Sequence, residues 1–218
     1  MPKDALLIVD AQNDFCPGGT LAVSGGDEVV PRINSIMNLF DIAVFSKDWH
    51  PFDHVSFASA HPGKPVFEAI VLPDGIEQML WPDHCVQGTP GADFHPELLL
   101  YKVSTDFVVL KGVKKDKDAY SAFQGRLGGE MNVDLNYVLR AYGAKKLFVC
   151  GLATDYCVKA TVLDALRLGY KVVVLEDAIR GVDMKQGDSE RAKEMMLNAG
   201  AKFTSTVSIL NHLVLEAD

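Results

Sequence analysis

Short, nearly continuous apolar runs recur along this chain of 218 residues, and they constrain its fold more than any other feature. They predict six strands, the last of them short, at residues 5–9, 42–45, 107–110, 146–150, 172–175 and 201–203. A run that is apolar throughout, rather than at every second residue, is typical of a strand that is buried on both faces. Strands of this kind occur mainly in parallel sheets, so a parallel sheet is expected here.

Segments with helical periodicity lie between several of these strands. Apolar residues recur at helical spacing in four segments, residues 27–40, 133–142, 158–168 and 189–198. Strands that alternate with helices predict an α/β fold, with a doubly wound, six-stranded, mainly parallel sheet and helices on both faces. A chain of this length is expected to form a single domain over residues 1–218.

One long stretch, from about residue 48 to residue 105, interrupts the alternation of strands and helices. It is rich in proline, histidine, glycine and aspartate. A long loop without periodicity is usually either functional or disordered. Because aromatic residues such as Trp49, Phe57 and Trp81 occur throughout this stretch, we expect an ordered loop excursion.

Composition argues against several classes of partner and location. The formal net charge of −8 disfavours binding to nucleic acid or to an anionic membrane, since both need a basic surface. No stretch approaches the roughly 20 apolar residues that span a bilayer, and the N-terminus has no room for a signal peptide. The four cysteines are scattered without a C-x-x-C pair, so no disulfide framework is expected. We therefore predict a cytoplasmic protein, and the sequence leaves homo-oligomer formation open.

Polar side chains follow four of the predicted strands. Asp10, Asp48 and Lys111 come at or after the ends of the first three, and Cys157 follows the fourth after a short turn. Active sites in open α/β sheets lie beyond the carboxyl ends of the strands, so these side chains are expected to converge. A carboxylate could remove the thiol proton as a general base. A helix N-terminus at Cys157 would favour the thiolate, which is the reactive form of cysteine.

Each of these residues also has a purely structural interpretation. An aspartate after a strand commonly caps the following turn, and a lysine there is commonly a solvated strand end. A free cysteine is commonly an inert, small apolar residue of the core. Cys150, inside the fourth predicted strand, fits that last description. Cys157 differs because a turn precedes it and a helical pattern follows it.

A second cluster of polar residues indicates a metal site. Asp48 and His50 are two positions apart, so in an extended chain their side chains share one face. With His54 and His84, which lie further along the chain, they would offer a carboxylate and imidazoles, ligands that suit zinc, iron or manganese. A few protein ligands would leave positions open for water or substrate, as catalytic metals need. The alternative is a set of surface histidines in a polar loop, and Cys85, next to His84, could compete as a ligand.

Three motifs resemble the nicotinamidases of the isochorismatase-like cysteine hydrolase superfamily, and together they cover nearly the whole chain. They are VDAQNDF at residues 9–15, KDWHP at 47–51 with WPDHCVQGT at 81–89, and GLATDYCV at 151–158. Three spaced motifs in the right order are far more specific than any one of them. The resemblance implies that the protein hydrolyses nicotinamide to nicotinate and ammonia in NAD salvage, through a cysteine thioester. It also makes pyrazinamide a plausible substrate.

The resemblance assigns a role to each matching residue. Cys157 would be the nucleophile, Asp10 the proton shuttle and Lys111 the third member of the triad. The N–H groups of Ala153 and Cys157 would form the oxyanion hole, after a cis peptide bond between Leu152 and Ala153. One divalent metal ion, zinc before iron or manganese, would be bound by Asp48, His50 and His84, with His54 in a supporting role. The excursion at about 48–105 would thus carry metal-binding and substrate-binding residues. The substrate pocket would be lined by Phe15, Leu21, Trp81, Tyr120, Leu152 and Ala153.

Three other functions are weighed against this one. Another amidohydrolase of the superfamily, acting on a carbamoyl or ureido group, would keep the triad but would not need the metal motif. An isochorismatase, which hydrolyses a vinyl ether, would need neither thiol nor metal. A noncatalytic metal-binding or ligand-binding protein would not need a full triad. The combination of triad and metal motif therefore favours hydrolysis of a pyridine carboxamide.

Overall fold

The computed structural model describes residues 3–100, 106–127 and 133–216. Its strands are β1 (Lys3–Val9), β2 (Ile42–Asp48), β3 (Ala69–Val71), β4 (Glu77–Met79), β5 (Asp106–Lys111), β6 (Arg126–Leu127), β7 (Ala144–Leu152), β8 (Lys171–Arg180) and β9 (Lys202–Thr204). Seven of them form one sheet in the order β6-β5-β2-β1-β7-β8-β9, and β3 pairs with β4 in a separate hairpin. All pairs in the main sheet are parallel except β5 and β6.

Helices cover both faces of this sheet. They are α1 (Val29–Ile36), α2 (Leu135–Ala141), α3 (Lys159–Arg167), α4 (Asp188–Asn198) and α5 (Thr206–Glu216). Alternate residues of β1 belong to different cores: Leu7 packs with α2, α3 and α4, whereas Leu6 packs with α1. Within the described ranges, no helix combines the length and apolar character needed to cross a bilayer.

The predicted fold class is confirmed, with differences in detail. The sheet has seven strands rather than six, because the two-residue β6 pairs antiparallel with β5 at the edge. A strand that short leaves no sequence pattern. The helix predicted over residues 27–40 is divided into a 3₁₀ turn at Gly26–Glu28, α1, and a second 3₁₀ turn at Met37–Leu39. Helix α5 is not among the four helical segments predicted from the sequence.

The predicted excursion leaves the sheet after β2, and its last residues, 101–105, lie outside the described residues. Its aromatic residues divide between core and surface: Phe57 and Trp81 are buried, whereas Phe52 is 77% exposed. The β3–β4 hairpin belongs to this segment. After the hairpin the chain comes back beside the end of β2, where the His50 N–H donates a hydrogen bond to the Cys85 carbonyl. The excursion therefore brings residues 81–89 beside the carboxyl end of β2.

Gly151 allows β7 to lie directly against Val9 of β1. It has φ of 110°, and a Cβ built on it would lie 1.9 Å from the Val9 carbonyl oxygen. Both the backbone conformation and the space therefore require glycine. We expect Gly151→Ala to lower the free energy of unfolding by more than about 3 kcal/mol, measured by urea denaturation.

Gly143→Ala is the matched control for this prediction. Gly143 also has positive φ, 79°, but a Cβ there would meet nothing within 4 Å. Gly143→Ala should lower the free energy of unfolding only by the strain of a left-handed backbone, about 1–2 kcal/mol. Equal losses in the two variants would contradict the clash with Val9.

Candidate active site

The carboxyl ends of β1, β2, β5 and β7 lie side by side and bring four polar side chains together. Lys111 Nζ lies 2.8 Å from Asp10 Oδ2 and 3.3 Å from Cys157 Sγ, and it also pairs with Asp48 Oδ1. All four residues are buried, and Lys111 is only 1% exposed. The interpretation of Lys111 as a solvated strand end is therefore excluded. Asp10 does not cap a turn either, since its side chain contacts Lys111 and accepts a hydrogen bond from the Ser46 hydroxyl, 2.7 Å away.

The two oxygens of Asp10 differ in their surroundings. Oδ1 accepts the hydrogen bond from Ser46. Oδ2 is within ion-pair distance of Lys111 but accepts no well-directed hydrogen bond from any described residue. A buried carboxylate oxygen with an unused lone pair can accept a proton from a neighbouring thiol.

Cys157 lies in a turn that differs from the predicted start of an α-helix. The peptide bond between Leu152 and Ala153 is cis, as the resemblance implies. A π-helical turn, Thr154–Val158, follows and leads into α3. The Ala153 carbonyl accepts hydrogen bonds from the Tyr156 and Val158 N–H groups, both at 3.1 Å. The thiol is thus one turn ahead of α3, in the wider helical geometry that often occurs at functional sites.

The electrostatic environment keeps the Cys157 thiol protonated. Burial raises its pKa well above the ordinary value, Lys111 opposes the rise, and the carboxylates of Asp10 and Asp48 add to it. This differs from the thiolate that a helix N-terminus alone would favour, because burial and two carboxylates outweigh it. A base is therefore needed to remove the thiol proton.

Asp10 has the position of such a base, with its Oδ2 beside Lys111, which in turn contacts the Cys157 sulfur. Burial raises the pKa of Asp10 above its ordinary value, although Lys111 opposes this effect. A carboxylate with a raised pKa is a stronger proton acceptor than an exposed one. For Lys111, burial alone would lower the pKa, but Asp10 and Asp48 outweigh it and raise it well above the ordinary value. Lys111 therefore stays charged throughout the neutral range.

Asp48, His50 and His84 form a buried cluster beside this group. Asp48 Oδ1 lies 3.6 Å from His50 Nε2, and Asp48 Oδ2 lies 3.9 Å from His84 Nε2. One ligand atom from each residue lies within 4.8 Å of the others. Ligand atoms that share one ion through bonds of about 2.0–2.2 Å are separated by similar distances.

Hydrogen bonds orient both histidines toward Asp48. His50 Nδ1 lies 3.0 Å from the Gly112 carbonyl, and His84 Nδ1 lies 2.8 Å from the Pro82 carbonyl. Since a carbonyl oxygen only accepts, each Nδ1 donates and each Nε2 is available as a ligand. Burial, and then His50, lowers the pKa of His84 to about 4, so its imidazole is neutral at pH 7. The three residues therefore form a candidate site for a divalent metal ion.

His54 lies behind this cluster rather than in it. Its ring packs against that of His50, tilted by 32° with centroids 4.2 Å apart, and its Nδ1 lies 2.7 Å from the Ser56 hydroxyl. His54 could join His50 and Asp118 in a second group of metal-ligating type. That group needs His50, whose free Nε2 lies 3.6 Å from Asp48 Oδ1 in the first group. The position of His54 is consistent with the supporting role expected from the sequence.

The residues expected to line the substrate pocket lie together on one side of the site. Phe15, Leu21, Trp81, Leu152 and Ala153 are all buried members of one apolar cluster. The Phe15 ring packs 5.6 Å from that of His84, between centroids. Tyr120 is attached to the same group, because Trp81 Nε1 donates a hydrogen bond of 3.1 Å to its hydroxyl.

Three nearby residues are not among those predicted from the sequence. The Tyr156 ring packs edge-on against Trp81, 4.8 Å between centroids, and lies 5.8 Å from that of Tyr120. Ser46 donates to Asp10, and Gln12 bonds to the backbone of Asp48. Tyr156 is adjacent to the nucleophile and Gln12 belongs to the first motif, so each had a sequence signal. Ser46 had none.

The chain is similar to known proteins over almost its full length. The isochorismatase domain family matches residues 4–208. The nicotinamidase of Escherichia coli is 46% identical over 205 residues, which cover 92% of this chain and 94% of that protein. The nicotinamidase and pyrazinamidase of Acinetobacter baumanii has a solved structure with a TM-score of 0.86 and 40% identity, covering 96% of this chain and 99% of that one.

A pyrazinamidase from Pyrococcus horikoshii, solved in complex with zinc, has a TM-score of 0.74 and 39% identity. The match covers 94% of this chain and 99% of that one. These likenesses extend over almost the full length of both partners in every case. The chain therefore belongs to the nicotinamidases of the isochorismatase domain family.

Proposed function

We propose that this protein hydrolyses nicotinamide to nicotinate and ammonia in NAD salvage, and that it also accepts pyrazinamide. One observation carries the proposal: Lys111 contacts Asp10, Asp48 and Cys157 at once, so a thiol and its base adjoin a candidate metal site. A hydrolase of carbamoyl or ureido groups would need the thiol and the base but not the metal cluster. The relatives named nicotinamidase and pyrazinamidase support the same choice.

The proposed chemistry uses the triad in two half-reactions. Asp10 takes the proton of the Cys157 thiol, and the sulfur attacks the amide carbon. Asp10 then gives that proton to the departing ammonia, which leaves a thioester. Water, losing a proton to Asp10, hydrolyses the thioester to nicotinate and restores the thiol. Lys111 holds the Asp10 carboxylate in place and keeps a positive charge next to the sulfur throughout.

The N–H groups of Ala153 and Cys157 are the proposed oxyanion donors. Both belong to the turn between β7 and α3, which the bonds to the Ala153 carbonyl hold in its shape. Loss of one such donor typically raises the reaction barrier by about 3–4 kcal/mol. The turn would therefore provide both the nucleophile and the stabilisation of the charge that the attack creates.

A divalent ion would be bound by Asp48, His50 and His84, with zinc favoured over iron or manganese. The donor set of one carboxylate and two imidazole nitrogens fits all three metals, and the zinc complex of the pyrazinamidase relative favours the first. When bound, the ion would supply an electrophilic position for the pyridine nitrogen and thus orient the ring. Phe15 and Trp81 would pack on the two faces of that ring, with Leu21, Tyr120, Leu152 and Ala153 completing the walls.

We further propose that a single domain over residues 1–218 carries this function in the cytoplasm. The core on each face of the main sheet is continuous across its central strands, which supports one domain. All four cysteines are free and buried, as is usual where thiols are kept reduced. Nucleic acid and membranes are not expected partners, and homo-oligomer formation stays open.

Ammonia release from nicotinamide, with and without a chelator, tests the proposal. We expect rapid release by the zinc-loaded protein, a fall of about 100-fold or more after chelation, and recovery on addition of zinc. His84→Ala should release little ammonia and should be insensitive to the chelator. A zinc-loaded protein that releases ammonia from a ureido compound but not from nicotinamide would refute the proposed substrate.

A further inference from the structure

Two buried polar side chains follow β1 and have no part in the proposed reaction. Gln12 is 0% exposed and Asp14 is 7% exposed. They lie in the same motif as Asp10 and Phe15, on the segment that crosses from the triad to the pocket wall. Buried polar groups are normally there because their hydrogen bonds hold something in place.

Gln12 bonds to both backbone groups of Asp48. Its Nε2 donates to the Asp48 carbonyl at 2.8 Å and to the Ala92 carbonyl at 2.9 Å, and its Oε1 accepts from the Asp48 N–H at 2.8 Å. Three hydrogen bonds to two distant chain segments leave the amide group with a single orientation.

The path of β1 explains why Asp48 needs such a partner. In the parallel β1–β2 pair, Asp10 N–H donates to the Ser46 carbonyl, so Ser46 faces β1 and Asp48, two residues later, faces the same way. The chain then turns away at Asp10, which has φ of 45°. On the side of β1, the N–H and carbonyl groups of Asp48 would therefore be buried without a hydrogen-bond partner. The Gln12 amide makes the two hydrogen bonds that a residue of β1 would otherwise make.

Asp14 holds the other segment of the metal cluster in a similar way. Its Oδ2 accepts a hydrogen bond of 2.7 Å from the Cys85 N–H, directly after His84. Cys85 has φ of 46°, a conformation that non-glycine residues rarely adopt without support. Gly91 closes over the same carboxylate, since a Cβ there would lie 2.2 Å from Asp14 Oδ2.

We propose that Gln12 and Asp14 are positioning residues for the metal site. Gln12 fixes the backbone of Asp48 and Asp14 fixes the backbone next to His84, so one short segment sets the separation at which these two ligands can share an ion. The inference rests on the proposed metal-dependent function, since it concerns the same ligands. Partners behind metal ligands usually change metal affinity by about 10–100-fold when they are removed.

Cobalt binding to the metal-free protein tests this role without any measurement of activity. Co²⁺ is titrated while its visible absorption, which reports coordination geometry, is recorded. We expect Gln12→Met, which keeps the chain length, to bind Co²⁺ about 10–100-fold more weakly and with an altered spectrum. Asp14→Ala should behave similarly, whereas Asp14→Asn should retain most of the affinity because its Oδ1 can still accept from Cys85.

Asn34→Leu is the matched control. The Asn34 amide also bridges two backbone groups, donating to the Glu97 carbonyl at 2.8 Å and accepting from the Leu99 N–H at 3.0 Å, but on α1. Asn34→Leu should lower the midpoint of urea denaturation without changing the Co²⁺ affinity or the Co²⁺ spectrum. Gln12→Glu, which loses both donated bonds but keeps the shape, serves if Gln12→Met does not fold.

Two outcomes would overturn the inference in distinguishable ways. If the unaltered protein binds Co²⁺ tightly and the Gln12 and Asp14→Ala variants bind it equally well with the same spectrum, the positioning role is refuted and the metal site stands. If the unaltered protein binds no Co²⁺, the metal site itself is refuted, and the positioning role falls with it.

Discussion

Replacement of Cys157 by alanine is expected to abolish ammonia release from nicotinamide. The variant would keep the metal cluster and the pocket walls but would have no atom to form the thioester. The loss of a covalent nucleophile commonly costs about 10⁴-fold or more in kcat. Ammonia release under saturating substrate measures this loss, and elemental analysis is expected to give an unchanged metal content.

Cys150→Ala is the control for this experiment. Cys150 is also a buried thiol, on β7, in an apolar core cluster, and its sulfur donates a long hydrogen bond of 3.8 Å to the Leu7 carbonyl. We expect Cys150→Ala to lose about 1 kcal/mol of stability and to retain activity. Substantial ammonia release by Cys157→Ala, or an equal loss in Cys150→Ala, would contradict the covalent route.

The main outlines of the fold could be predicted because they depend on local pattern. Apolar runs identify β1, β2, β7 and β8, since strands buried on both faces exclude polar residues. The edge strand β6 could not be found this way, because two residues carry no periodicity. The same holds for the π-helical turn at Cys157, whose geometry depends on the strand before it and the helix after it.

The candidate site was predictable where chemistry-bearing residues follow strand ends, and not elsewhere. Lys111 and Asp10 were identifiable because each directly follows an apolar run, and active sites in open α/β sheets lie beyond the carboxyl ends of the strands. The contacts of Gln12 with Asp48 and Ala92 span 36 and 80 residues, and no local pattern encodes them. The protonation state of Cys157 could not be predicted from the sequence either, because it depends on burial and on two carboxylates at the ends of other strands.

Lys111→Met is expected to destabilise the metal-free protein strongly, and more so at alkaline pH. Methionine has a similar length but no charge, so the variant leaves Asp10 and Asp48 buried without their shared cation. Breaking a buried ion pair by removing one partner typically costs about 3–5 kcal/mol. We expect a loss of that size in urea denaturation at about pH 8, together with loss of ammonia release after metal is restored.

The direction of the pH effect follows from the two carboxyl groups. Burial raises the pKa of Asp10 and Lys111 opposes it; burial would also raise the pKa of Asp48, but Lys111 and the histidines outweigh it. Without Lys111 both pKa values rise. A carboxyl whose pKa is higher in the folded protein than in the unfolded chain takes up a proton on folding, so its penalty shrinks as pH falls. The loss of folding stability in Lys111→Met should therefore be smaller at about pH 5 than at about pH 8.

Lys146→Met separates this effect from the general loss of a lysine. Lys146 pairs with Asp4 at 2.6 Å, but both side chains are more than a third exposed. Solvent screens such a pair, so we expect a change within about 1 kcal/mol and little dependence on pH. If Lys111→Met lost no more stability than this control, or lost the same amount at both pH values, Lys111 would not be the charge that stabilises the Asp10 and Asp48 carboxyl groups inside the protein. The proposed base would then lack the partner that holds it beside the Cys157 thiol.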